Sequence, residues 1–129
     1  MAQKDVIRTD RAPGPFQGAP YNQAIRIGDL VFVAGQLGIQ LETGELAGPG
    51  AAEQTEQIMQ NLGAILEAAG SGLENLVKTT VFLLDLGDFT AMNDVYAHHV
   101  GDAPPARSTV GISGLPSGAR VEIEAVAHV

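Results

Sequence analysis

The segment "LVKTTVFLLDL", residues 76–86, decides the architecture. It is rich in β-branched and aromatic residues, so it reads as a strand. Side chains alternate along a strand, so Val77, Val81 and Leu83 point one way while Phe82, Leu84 and Leu86 point the other. Both faces are apolar, the pattern of a strand covered on two sides. "LVFVA" at 30–34 repeats it, with Leu30 and Phe32 opposing Val31 and Val33. Whatever sheet these strands build needs a layer against each face.

The flanking segments supply one such layer. From Ala51 to Ala69 the apolar spacing becomes helical, with Ile58, Leu62, Ile65, Leu66 and Ala69 on one stripe. Glu53 and Glu56 lie near the positive end of that helix, and Gly70 can stop it in the left-handed conformation. Asp88 is placed to cap a second helix, on which Phe89, Met92, Val95, Tyr96 and His99 share a face. Upstream, "YNQAIRI" and "LVFVAGQLGI" form a hairpin across a two-residue turn, Gly28-Asp29. "ETGEL" at 42–46 is a further tight turn around Thr43-Gly44. Downstream, "ARSTVGI" at 106–112 and "RVEIEAVAHV" at 120–129 are strands joined around "LPSG", with Pro116 at a turn's second position.

The element order is β-β-β-α-β-α-β-β, an α+β layout whose two helices cover one face of the sheet. The other face would expose more apolar surface than monomers tolerate, so a symmetric homo-oligomer is expected. Loops folding over that face are the alternative.

Composition narrows the function classes. A chain of 129 residues, 45% apolar and 17% charged, reads as one globular domain. The formal charge is −8, and Lys4, Arg8, Arg11, Arg26, Lys78, Arg107 and Arg120 are scattered. Nucleic-acid binding needs a concentrated basic footprint, which this distribution lacks. The absence of cysteine removes disulfides and thiolate chemistry. "MAQKDVIRTD" has no apolar signal core, and no apolar run approaches the length of a membrane span, so a cytoplasmic protein is expected.

Few residues are placed to carry chemistry. Arg107 stands where the proline-stiffened "DAPPA" meets an apolar strand. Its planar fork suits a carboxylate, and an internal salt bridge is the competing explanation. Glu122 and Glu124 share a strand face opposite Val121, Ile123 and Ala125, where a carboxylate can hold or deprotonate water. A merely solvated face is the competing explanation there. Tyr21 and Asn93 are possible hydrogen-bonding groups. His98 and His99 point about 100° apart on a helix and have no further ligands nearby, so no metal is expected. "GPG" at 48–50 lacks the spacing of a phosphate loop, and Ser108 lacks a His–acid pair. The residues alone thus reach a soluble oligomer with a candidate carboxylate grip and a candidate water-holding glutamate, and no named reaction.

"APYNQAI", "VFVAGQLGI", "PPARSTVGI" and "LPSGARVEIEAVA" resemble the reactive intermediate deaminase (RidA-like) family, in consistent order from about Ile7 to the C-terminus. The pairing of "PARS" with "VEIEA" is the specific part. The resemblance implies a chorismate-mutase-like α+β unit, one domain over residues 1–129, assembling as a homotrimer with clefts between subunits. It implies hydrolysis of enamine/imine intermediates such as 2-aminoacrylate, released by pyridoxal-phosphate dehydratases, to 2-keto acids and ammonia without cofactor or metal. A non-catalytic module binding 2-keto acids in the same cleft, and a ribonuclease or holdase role, are alternatives within the family.

By motif, Arg107 would clamp the substrate carboxylate and Glu122 would activate water. Tyr21 would line the pocket and orient that water. The Gly35 backbone would assist carboxylate binding, the Thr109 carbonyl would accept from the imine nitrogen, and Asn93 would support the site. Ala34 and Thr109 depart from the Ser/Thr and Cys common in the family, and segment 14–19 is longer than usual beside Tyr21. These differences bear on substrate range.

Overall fold

The computed structural model describes residues 3–129; Met1 and Ala2 of the N-terminal segment lie outside the described residues. The strands are β1 (Asp5–Ile7), β2 (Ala24–Ile27), β3 (Leu30–Leu37), β4 (Leu76–Leu83), β5 (Ala106–Gly111) and β6 (Val121–His128). The helices are α1 (Ala51–Ala68) and α2 (Phe89–Val100). All six strands form one mixed sheet, ordered β1-β2-β3-β6-β4-β5. Only β4 and β5 run parallel, because the α2 crossover brings the chain back in the same direction. The α+β class and element order agree with the sequence reading, although it located no strand at β1.

Both helices lie on one face. Ile58, Leu62, Ile65 and Leu66 of α1 are fully buried against Val31, Val81, Val121 and Ile123 of the sheet. Burying such a side chain contributes roughly 1.5–3 kcal/mol, so this face supplies the core. Gly70 ends the α1 region at φ +82, as its sequence position predicts.

The second face is bare. Phe32 is 45% exposed and Leu30 41%, with Ile27, Val6 and Val110 comparable. Loop residues Phe16, Tyr21 and Pro116 reach it at Glu122, while Phe32, Leu30 and Val110 stay exposed. A depression of about 390 Å³ on this side is bounded by Phe32, Val126, Lys78 and Glu124.

Four local expectations are corrected. Val77 does not join Val81 and Leu83: the β4–β6 register shifts between Leu76 and Lys78, leaving Val77 44% exposed. β4 stops at Leu83, so Leu84 and Leu86 belong to the following turn. Asp88 stands at the N-cap of α2 without bonding its amides; its Oδ2 instead accepts from Arg120 Nε at 2.7 Å. Pro116 opens its turn rather than taking second place: Ala119 N donates to Pro116 O, and Ser117 and Gly118 are the central residues at φ +60 and +72. The Gly28-Asp29 hairpin is as expected, with Ile27 opposite Leu30 and Gly28 at φ +58.

Candidate functional site

The six candidate residues fall into two groups that one chain does not bring together. The first gathers around Arg107 on β5. Its register partner is Thr79, which is fully buried under the helices, so Arg107 faces the helix layer at the sheet's edge. There its Cζ lies 4.9 Å from the Tyr96 ring centroid and 5.6 Å from that of Phe89, within cation–π range. Nη1 also approaches Met92 Sδ at 3.9 Å.

Tyr96 is held in turn by Thr79, hydroxyl to hydroxyl at 2.6 Å, and burial pushes its phenol pKa up. Asn93 lies one turn from Phe89 and one from Tyr96, so it shares their helix face. Its Oδ1 is buried with no hydrogen-bond partner. Thr109, two residues beyond Arg107, lies half-buried on the same side of β5.

Arg107 has no carboxylate partner among the described residues. Arg11, by contrast, meets Glu67 at 3.3 Å and Arg120 meets Asp88 at 2.7 Å. The guanidinium is positioned by aromatic faces and its donors are not committed to an internal acid.

The second group surrounds a cavity of about 70 Å³ on the opposite side of the sheet, lined by Tyr21, Gly35 and Glu122 among others. Glu122 is on the bare face of β6, opposite Phe82, while Val121 and Ile123 point into the core. Its carboxyl lies across Gly35, where the β3–β6 register breaks between Val33 and Gln36. A Cβ at Gly35 would sit 2.8 Å from Glu122 Cδ, so a larger residue there would push the carboxyl aside. Burial, with the neighbouring Glu124 charge adding to it, pushes the Glu122 pKa above the usual glutamate range.

Tyr21 Oη accepts from the Phe16 amide at 2.6 Å, which leaves its proton free to donate toward the cavity. Buried amides hold this region in place. Gln23 Nε2 donates to Thr9 O, Ala12 O and Pro13 O, and Asn61 Nδ2 donates to Leu37 O and Ile39 O. Sequence reasoning did not single out these amides, because Asn61 sits within an apolar helical stripe and Gln23 within a hairpin strand. It read Tyr96 only as part of a helix face; nothing but the fold pairs it with Arg107.

The register separates the groups. Glu122 is opposite Phe82, and Arg107 is opposite Thr79 on the far side of β4. Three residues along and two strands across is on the order of 14 Å, before the thickness of the sheet is added. A three- or four-carbon acid cannot touch both.

Glu53 curls back over Gly48 and Gly50, placing the chain's own carboxylate where an anion on the "GPG" loop would sit. His99 Nε2 pairs with Glu56 Oε1 at 2.9 Å, bridging the helices, and that bond holds the Glu56 pKa below its usual value. No group of three metal-ligating side chains converges among the described residues. Nor is any helix among them long and apolar enough to cross a membrane.

Residues 11–129 match the family described as Endoribonuclease L-PSP. The chain belongs to that family. Among its L-PSP relatives, a RutC family protein of Pyrococcus abyssi is 47% identical over 125 residues, 97% of each chain. The 2-iminobutanoate/2-iminopropanoate deaminase of Homo sapiens is 42% identical, covering 95% of this chain and 88% of that protein. The crystal structure of RidA from the Antarctic bacterium Psychrobacter sp. PAMC 21119 superposes with a TM-score of 0.91 at 41% identity, over 97% of this chain and 99% of that one. The family resemblance carried by "PARS" and "VEIEA" is therefore real and covers nearly the whole chain.

Proposed function

We propose that this L-PSP family chain is an enamine/imine deaminase. It hydrolyses 2-aminoacrylate-type intermediates to 2-keto acids and ammonia in a cleft that forms where copies of the chain meet as a homotrimer. The observation that carries the reading is Arg107, a half-buried guanidinium stacked on Tyr96 and Phe89 with no acidic partner among the described residues. An anion from outside completes it. The separation of Arg107, Thr109 and Asn93 from Glu122, Tyr21 and Gly35 supports an intersubunit cleft, since one copy's first group can face another's second. The bare apolar sheet face offers the contact surface.

The chemistry asks little beyond positioning. The substrate enamine tautomerises to an imine whose C2 is electrophilic once the nitrogen is protonated. The Arg107 fork holds the carboxylate through two parallel hydrogen bonds. Glu122 takes a proton from water as the oxygen bonds to C2, and Tyr21 orients that water. Asn93 supports the carboxylate end, and the Thr109 carbonyl accepts from the nitrogen. The C–N bond then breaks, the departing nitrogen collects the protons and leaves as ammonia, and C2 becomes the keto carbon. Placing water, base and electrophile together supplies the rate, so no metal or cofactor enters. The raised pKa of Glu122 makes it a stronger base than an exposed glutamate.

The test is keto-acid release from a serine or threonine dehydratase reaction with and without the purified protein, alongside binding of the keto acid itself. Accelerated release lost in Arg107→Ala supports the deaminase. Binding of keto acid with no acceleration would make the cleft a carboxylate sensor. A steep salt dependence of RNA binding would instead point to the nuclease reading, against the −8 charge.

A further inference from the structure

We propose that Lys78 forms an ion pair with Glu124 of the partner subunit, and that this pair sets the register in which the Arg107 group meets the Glu122 group. The proposal rests on the homotrimer reading above and names the contact that aligns its copies.

The bare sheet face is not uniformly apolar. In register, Phe32 lies opposite Val126 and Val126 opposite Lys78. In the next row Glu124 lies opposite Thr80, which pairs with Ser108. Beyond it Glu122 lies opposite Phe82, which pairs with Val110. A charged patch thus sits between apolar rows. Among the described strand residues, Lys78 is the only lysine or arginine on this face. Arg26 and Arg107 pair in register with the buried Val31 and Thr79, so both face the helices.

Within one chain the two charges do not meet. Lys78 and Glu124 border the same depression, yet no salt bridge joins them, and Glu124 has no cationic partner among the described residues. Lys78 Nζ instead donates to Ser108 Oγ at 3.2 Å, leaning toward the β5 edge. Ser108 is two strand spacings, roughly 10 Å, from the strand that carries Glu124.

A copy seated on this face takes water from both groups, and a charge buried without a partner is strongly penalised. In a closed ring each copy presents one patch to a different patch of the next. A face with its cation displaced toward one edge and its acid further in suits that arrangement, because every cation then meets the next copy's acid. The same pairing serves the site. Ser108 directly follows Arg107, and Glu124 lies two residues from Glu122 on the same face. Joining Lys78 to the partner's Glu124 lays the β5 edge of one copy over β6 of the other, which is the approach Arg107 needs to reach the second group. Glu122 stays available as the base, since its carboxyl is turned across Gly35 while Glu124 is exposed.

The chain contains no cysteine, so a Lys78→Cys/Glu124→Cys variant carries only the two thiols under test. Mild oxidation or a short bis-maleimide should give covalent trimers on a denaturing gel. Cross-links confined within single chains overturn the proposal, as do cross-links formed equally well by either single-cysteine variant. Charge reversal reads the same contact in solution. Lys78→Glu and Glu124→Lys should each raise the concentration needed for assembly by about 10-fold or more in light scattering, and the double reversal should restore it. If a reversal variant fails to fold, the cysteine pair decides. Reversals that leave the mass of a trimeric wild type unchanged overturn this proposal alone. A wild type that stays monomeric at every concentration overturns the homotrimer reading, and this one with it.

Discussion

Replacing Arg107 by lysine separates charge from geometry. An ammonium on a four-carbon stem can still sit over the Tyr96 ring, where the guanidinium lies 4.9 Å from the centroid. It cannot offer two parallel donors to a carboxylate. One charge-assisted hydrogen bond contributes about 1.5–3 kcal/mol, so Arg107→Lys should lower kcat/KM by roughly 10–150-fold. Arg107→Ala loses both bonds, about 3–6 kcal/mol, or roughly 10²–10⁴-fold. Because no carboxylate among the described residues pairs with Arg107, neither variant should alter the thermal midpoint by more than a few degrees. Keto-acid release in a dehydratase-coupled assay gives the rates, and calorimetry with size-exclusion chromatography checks fold and assembly. Arg107→Ala that retains kcat/KM within about threefold of wild type refutes the grip. So does a large loss traced to unfolding, which would make Arg107 a structural residue.

Glu122→Gln should lower kcat by about 10²–10⁴-fold and abolish the acidic limb of the pH–rate profile, which in the wild type lies above the usual glutamate range. Its stability effect has a defined sign. A carboxyl whose folded pKa is raised binds protons more tightly when folded, so wild-type stability falls as pH rises from the ordinary value of 4.5 through the folded pKa. Glu122→Gln should therefore melt higher than wild type near neutral pH and lose that advantage in acid. Phe32→Asp puts a charge on the bare sheet face at a residue 45% exposed in the single chain. Light scattering should show a lower mass, with activity lost in parallel; an unchanged mass would move the interface elsewhere. Leu62→Ala removes a fully buried core side chain and should cost about 2–5 kcal/mol in chemical denaturation, with little change in substrate preference among the molecules still folded.

Local chemistry wrote much of the fold into the chain. The stripe through Ile58, Leu62 and Leu66, the alternation along Val121–His128 and the Gly28 turn depend on neighbours a few residues away, and such patterns survive reading in one dimension. Errors came where a distant partner intervened. Asp88 looks like a helix cap until Arg120 claims its carboxylate. Val77 follows its strand's parity until the pairing with β6 shifts.

The site divides the same way. Arg107, Glu122, Tyr21, Gly35, Thr109 and Asn93 could be singled out as candidates from residue type and motif alone. Their grouping was not. Which candidates share a face follows from sheet register and the α2 crossover, and contacts at such sequence separation leave no local periodicity. Residue chemistry is a property of the chain. The stacking of Arg107 on Tyr96 and Phe89, the raised basicity of Glu122 and the gap between them come from burial and distance, which exist only once the chain has folded.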